Sequence, residues 1–329
     1  MENHSCPMCC VPRHRETSSS LAPEIALQPA PEGSFSRLSS TEGMKKLEGG
    51  SFLMGTDSEV AWRADGEGPV REVHLSPFWI DTCAVTNAQF GEFVAATGFL
   101  TEAETFGWSY VFHKSLTAKA KAVLRGSGAG VPWWIGVDGA CWHRPEGPGS
   151  NMKKRADHPV VHVSWNDAQA YCAWSGKRLL TEAEWEFAAR GGLVQQLYPW
   201  GNELVPKGKN AKPQHRCNIW QGKFPDFDSA QDGYSGTAPV RSFTPNGFGL
   251  YNMSGNVWEW CSDWFSPTFH RTGSRENPVG PMVGQNKIIK GGSFLCHASY
   301  CNRYRVAART SNTPDSTTAH CGFRCASDG

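Results

Sequence analysis

From Arg190 onward, turn signals arrive almost without interruption: Pro199-Trp200-Gly201-Asn202, Pro245-Asn246-Gly247 and Gly255-Asn256 cut the chain into runs too short for long regular elements. That pattern is incompatible with the strand and helix alternation of a doubly wound sheet, and neither GxGxxG nor GxxxxGK[ST] is present. The chain has 35 glycines and 21 prolines in 329 residues, about one in six where about one in eight is usual. Fourteen tryptophans against seven tyrosines supply large flat side chains to fill an irregular interior. The expected fold class is α+β with little regular secondary structure.

The clearest local elements are capped helices. Thr181-Glu182-Ala183-Glu184 is a capping box that opens a helix closed by Gly191-Gly192, which gives Glu182 and Glu184 a structural reading rather than a catalytic one. Ser164 opens a second helix with Ala168, Tyr171, Cys172 and Ser175 on one face and Gly176 as its C-cap. Thr86 to Thr97 is a third, with Phe90, Phe93 and Val94 on one face. Short strands are expected at Arg71 to Leu75, Trp79 to Cys83, Ile288 to Phe294 and Arg303 to Ala307.

Residues 1–45, rich in Ser, Pro, Glu and Arg, read as a disordered tail, and 46–329 as a single domain with no internal linker or repeat. In the tail, Cys6, Cys9 and Cys10 with His4 and His14 lack a second ligand pair at zinc-finger spacing. A balance of 32 basic against 31 acidic residues argues against a generic binder of nucleic acid or anionic membrane. No run approaches the ~18 apolar residues of a membrane span. Leu21 to Pro31 is broken by Pro23, Glu24, Pro29 and Pro31, so no secretory leader is expected, and a cytoplasmic location follows. There most of the twelve cysteines should be free thiols.

Four of them, Cys296, Cys301, Cys321 and Cys325, crowd the C-terminal region at no standard zinc spacing. Cys296 and Cys301 could meet only across an irregular turn, for which Lys290-Gly291-Gly292-Ser293 supplies close-approach glycines and a polar serine. Buried structural thiols, zinc, Cu(I) and a redox disulfide all fit this spacing. Arg303, Arg305 and Arg309 read first as a solvated strand face, with lowered thiol pKa values or an acidic partner as alternatives. Asp226, Asp228 and Asp232 suggest a hard cation without an EF-hand, since Thr237 stands at position twelve, and Asn252 with Gly255 forms a second cluster of the same type. A hydrolase triad has no support, because neither G-x-S-x-G nor H-E-x-x-H occurs.

Six stretches together resemble the formylglycine-generating enzymes of the sulfatase-modifying factor family, in a bacterial cytoplasmic form: Gly50 to Gly55, His162 to Ala168, Gly176 to Glu186, Asn218 to Gly222, Gly255 to Trp260, and above all Gly291-Gly292-Ser293-Phe294-Leu295-Cys296-His297-Ala298-Ser299-Tyr300-Cys301. The resemblance runs from about Gly49 to Asp328 and implies that family's C-type-lectin-like fold. It also implies an oxidase in which Cys296 and Cys301 bind Cu(I). The third ligand would be the client cysteine of a CxPxR segment in an unfolded sulfatase; with O2 and a thiol or other reductant, that cysteine becomes formylglycine through a thioaldehyde. Ser293 and Tyr300 would flank the reacting sulfur and Trp258 would form a pocket wall. The resemblance places one calcium at Asn218, Ile219, Asp232 and Tyr234 and a second at Asn252, Met253, Gly255 and Val257. It matches Cys172 and Cys325 to a pair bonded in secreted relatives, while Ala189 and Val306 replace a second such pair. Trp108 stands where relatives carry an acidic residue that helps hold the client arginine. The alternatives are a non-catalytic lectin-like module whose cysteines are structural or bind zinc, and a thiol-disulfide exchanger.

Overall fold

The computed structural model describes Pro12, residues 41–208 and residues 212–329. Cys6, Cys9, Cys10, His4 and His14 lie outside the described residues.

The chain opens with β1 (Met44–Leu47), β2 (Gly50–Met54), β3 (Arg71–Leu75) and β4 (Phe78–Asp81), so regular structure begins two residues before position 46. Next come α1 (Asn87–Thr97) and α2 (Glu102–Phe106), each started by a threonine capping box and stopped by a left-handed glycine. Such a cap contributes about 1 kcal/mol. α1 turns Phe90 and Phe93 into the core, as its apolar spacing requires. β5 (Trp108–Phe112), β6 (Leu124–Gly128) and β7 (Val131–Asp138) form a three-stranded antiparallel sheet with β7 central.

α3 (Trp165–Ser175), the two-residue β8 (Arg178–Leu179) and α4 (Glu182–Arg190) follow, with the expected caps at Ser164, Gly176, Thr181 and Gly191. Among the described residues, the loop region then holds a small hairpin, β9 (Gly222–Lys223) with β10 (Phe227–Asp228). The C-terminal part contains β11 (Trp258–Trp264), α5 (Phe269–Thr272), β12 (Lys287–Lys290), β13 (Arg309–Asn312), β14 (Cys321–Gly322) and β15 (Cys325–Ser327).

Two four-stranded sheets organise these pieces, in the orders β1-β4-β15-β8 and β13-β12-β11-β14. The C-terminal strand β15 lies inside the first sheet, beside β4, and therefore closes the fold on its N-terminal part. The second sheet carries the cysteine-bearing turn, which begins where β12 ends. The strand expected over Ile288 to Phe294 stops at Lys290, because Gly291 and Gly292 take φ of +93° and +74°. A side chain at Gly292 would sit 2.9 Å from the Tyr304 Cα, so only glycine permits this approach.

Arg303 to Ala307 forms turns rather than a strand, and the solvated-face reading of its arginines is overturned: Arg303, Arg305 and Arg309 are all buried. Arg303 Nε donates to Asp65 Oδ2 at 2.6 Å, and Arg305 makes a two-pronged contact with Glu67 at 2.6 and 2.8 Å. Arg309 grips Glu182 the same way at 2.7 and 2.8 Å. Unpaired, these charges could not be buried, and their acids lie far away in sequence. They fasten the segment after Cys301 to the loop around residue 65. Trp62 completes that clamp by donating its indole N–H to the Cys301 carbonyl at 2.7 Å while Arg303 covers its ring.

Candidate active site and cation sites

The turn from Ser293 to Cys301 is built from its own backbone. Cys296 N–H donates to the Ser293 carbonyl, and the His297 carbonyl accepts from the amides of Tyr300, Cys301 and Asn302. This curl turns the backbone at residue 301 back onto residue 297, through an irregular turn rather than a regular helix or strand. Cys296 and Cys301 are both buried in one aromatic cluster with Trp258, Ile219 and Tyr304. Burial pushes the Tyr304 phenol well up, and Tyr198, Cys217, Cys296 and Cys301 push it further.

Ser293 is fully buried and faces Cys296. Its backbone N–H donates to Cys296 Sγ at 3.3 Å, and its hydroxyl lies 4.0 Å from the same sulfur. Tyr300 stacks on Phe224 with ring centroids 4.4 Å apart and meets Trp133 edge-on at 5.0 Å, making an aromatic wall beside the turn. Trp258, at the start of β11, is fully buried, and its indole N–H has no partner among the described residues. A buried donor of this kind is costly unless something polar comes to it. An open cleft of about 1200 Å³, lined in part by Phe112, Trp220, Tyr234 and Phe294, approaches this turn at Phe294.

The four C-terminal cysteines share one buried cluster but take different neighbours. Cys321 lies on β14 opposite Trp258, and burial, helped by Glu259, raises its thiol pKa strongly. Cys325 pairs instead with Cys172, the sulfurs 3.6 Å apart and both thiols free. A further thiol, Cys217, shares the cluster of Cys296 and Cys301 and is also pushed up by burial. No sequence signal singles it out beyond its place next to Asn218.

Each proposed calcium position contains a buried amide oxygen without a partner among the described residues. At the first, Asn218 donates through Nδ2 to Gly236 O and Asn256 Oδ1, while its Oδ1 is unsatisfied. Asp232 accepts from the amides of Ile219 and Tyr234, and burial raises its pKa. At the second, Asn252 takes a left-handed φ of 51° and donates to Val240 O, again leaving Oδ1 unsatisfied. The two positions adjoin: Asn256 N–H donates to the Asn218 carbonyl, and a side chain at Gly255 would strike that carbonyl at 2.3 Å. Hard oxygen donors left unpaired in buried loops suit a hard cation. Asp228, by contrast, satisfies the amides of Gln221 and Ala230 within its own loop.

Trp108 is half-buried at the start of β5. The Arg125 guanidinium lies 5.4 Å from its ring, and Asp138, its partner across the ladder, forms an ion pair with Arg125.

Residues 31–329 match the family described as sulfatase-modifying factor enzyme 1-like domain. A formylglycine-generating enzyme of Thermomonospora curvata is 60% identical over 290 residues, covering 87% of this chain and 94% of that protein. Another, from Streptomyces coelicolor, is 57% identical over 307 residues, covering 93% and 95%. A protein named inactive C-alpha-formylglycine-generating enzyme 2, from Bos taurus, is 47% identical over 290 residues, covering 87% and 88%. Among solved structures, PvdO from Pseudomonas aeruginosa aligns with a TM-score of 0.63 at 26% identity, covering 87% of this chain and 94% of its own.

Proposed function

The chain belongs to the sulfatase-modifying factor family, and from that membership we propose that it converts the cysteine of a CxPxR segment in client sulfatases to Cα-formylglycine, using O2 and a Cu(I) ion held by Cys296 and Cys301. The observation that carries this reading is the pair of buried thiols on one glycine-started turn, within one aromatic cluster. Two thiols in an aromatic, water-poor cluster are a donor set for a soft ion, so the residues present fit copper. When bound, Cu(I) supplies soft ligation for a third sulfur, the client's own, and a redox partner for O2.

The chain's residues do the rest. The Ser293 amide donates to Cys296 Sγ at 3.3 Å and so fixes the orientation of that sulfur. Tyr300, Phe224 and Trp133 offer flat faces to an extended peptide, and the unpaired indole N–H of Trp258 can meet a polar atom brought in with it. Burial of Cys296 and Cys301 keeps bulk water from the sulfurs, although Ala298 and Ser299 between them are exposed. The electrons balance as follows: oxidising the client thiol to a thioaldehyde releases two of the four that O2 takes up, and an external thiol or other reductant gives two more. O2 leaves as two waters. Hydrolysis consumes one water and exchanges sulfur for oxygen, so the net products are the aldehyde, hydrogen sulfide, oxidised reductant and one water.

In this reading the client arginine stacks on Trp108 and pairs with Asp138, exchanging places with Arg125; a cation over an indole contributes about 0.5–2 kcal/mol. Calcium at the Asn218 and Asn252 positions stiffens the loops that β9 and β10 barely order. The whole of 46–329 acts as one catalytic domain, and the free, adjacent Cys172 and Cys325 suit a reducing cytoplasm.

The inactive relative at 47% identity favours one competing reading, a non-catalytic module of the same fold. Single Cys296→Ala and Cys301→Ala variants separate the two. Each should keep the wild-type melting curve and lose turnover of a CxPxR peptide entirely, because one remaining thiolate cannot hold the ion's geometry. Turnover retained by either variant contradicts the copper reading, and a wild-type chain that neither binds Cu(I) nor turns over peptide supports the module.

A further inference from the structure

Away from the cysteine turn, three side chains of different chemistry converge at the edge of the three-stranded sheet. A carboxylate oxygen of Glu104, Sγ of Cys141 and a ring nitrogen of His143 all lie within 4.8 Å of one another. No other trio of His, Cys, Asp and Glu among the described residues is so close. His143 Nε2 is 3.3 Å from Glu104 Oε1. In a tetrahedral site with bonds of about 2.0–2.3 Å, neighbouring donor atoms lie roughly 3.3–3.7 Å apart, so one edge is already at its final length.

Local structure holds each donor in place. Glu104 is the third residue of the α2 capping box, where Oε2 accepts from the Thr101 amide and hydroxyl at 3.1 and 2.6 Å. Its other oxygen, Oε1, is left facing His143. Cys141 and His143 sit on a tight reversal just after β7, closed by paired backbone hydrogen bonds between Cys141 and Arg144 at 3.3 and 2.9 Å. Burial and the charge of Glu104 raise the pKa of the Cys141 thiol, against smaller lowering contributions from the backbone of His143 and Arg144. A divalent ion reverses that balance: one thiolate, one carboxylate and a neutral imidazole cancel its two charges, and one proton leaves.

We propose that Glu104, Cys141 and His143 form a binding site for a divalent transition metal of the zinc class, with a water at the fourth position. The sulfur, nitrogen and oxygen donors match zinc or cobalt better than calcium or magnesium. Access is open on one side, since the side chains of His143 and Glu104 are 36% and 21% exposed while Cys141 is buried. The ion would join α2 to the loop leaving β7. Those elements lead directly into Trp108 and out of Asp138, which pair across the sheet, so the metal would fix the end of the sheet that carries them.

The test is titration of the full chain with Co2+, followed by the near-ultraviolet thiolate-to-cobalt absorption. One equivalent should bind, the band should persist in a Cys296→Ala/Cys301→Ala chain, and Zn2+ should displace the cobalt. Cys141→Ser should abolish the band. His143→Ala, a half-exposed change that spares the core, should weaken affinity at least tenfold and remove the rise in melting temperature that Zn2+ gives the wild type. A chain that binds no stoichiometric Co2+, or a band that survives Cys141→Ser, would overturn the site and leave only an ion pair between His143 and Glu104. The readouts are independent of peptide turnover, so they stand or fall separately from the oxidase reading.

Discussion

Glu259 follows the buried Trp258 on β11 and is the natural place to test how that strand is held. Its two oxygens take Arg324 Nε and Nη2 at 2.7 Å each, and Oε2 also accepts from the Trp185 indole at 2.7 Å. Arg324 is wholly buried and spends its remaining donors on the carbonyls of Tyr251, Asp81 and Thr82. Burial works against its charge, yet Glu259 holds its pKa above the ordinary value. In Glu259→Gln the shape survives, but Arg324 keeps a buried charge with no counter-ion and an amide NH2 faces either the guanidinium or the indole. Breaking a buried pair from one side costs about 3–5 kcal/mol. For a domain of this size, that lowers the melting temperature by about 6–20 °C, at about 2–4 °C per kcal/mol. Thermal and urea unfolding should both show it, with little salt dependence, because the pair is shielded from solvent ions. Glu259→Gln/Arg324→Met removes both charges and should recover part of the loss. A loss below about 1 kcal/mol in the single variant, or a double variant worse than the sum of its parts, would refute the reasoning.

Three further outcomes are expected. Calcium chelation should lower the melting temperature, and Asn218→Ala or Asn252→Ala should shrink that shift, since each orphaned buried acceptor costs about 1–3 kcal/mol until a cation meets it; an unchanged curve in excess chelator counts against both positions. Asp263 is raised to about 7 by burial and by Glu182, so protonation favours its native state: its contribution to stability is full below pH about 4 and is lost as pH rises through 7, a slope that Asp263→Asn should flatten in urea titrations at several pH values. Mild oxidation should link Cys172 to Cys325, closing a loop of about 150 residues and adding up to roughly 5 kcal/mol, which non-reducing electrophoresis with thermal melting would show.

What is legible in the sequence is local. The boxes at Thr86, Ser164 and Thr181 declare their helices through residues three apart, and all three start where expected. The same code at Thr101 and Glu104 goes unannounced, because a five-residue helix has no apolar period to accompany it. The β5-β7-β6 sheet is hidden for a different reason: Trp133 and Trp134 interrupt any clean alternation, and its strands pair across an intervening loop. The arginines after Cys301 mislead because their acids stand 238 and 127 residues away, and alternate basic residues look like a wet face until those partners are in place. Cys296 and Cys301 can be named but not chosen by spacing, since the turn that carries Cys301 is closed by three amides on one carbonyl, and no residue pattern encodes that. The Glu104, Cys141 and His143 group is hidden in the same way, one donor on a helix and two on a reversal 37 residues later.

The central claim is tested most directly by incubating the Cu(I)-loaded chain with a synthetic CxPxR peptide in air and recording the peptide's mass. The cysteine's thiol-bearing methylene should be replaced by an aldehyde, which a hydroxylamine probe captures, and no such product should form without copper or without O2. Unchanged peptide from a chain that holds one Cu(I) on Cys296 and Cys301, even when the peptide is shown to bind, would contradict it.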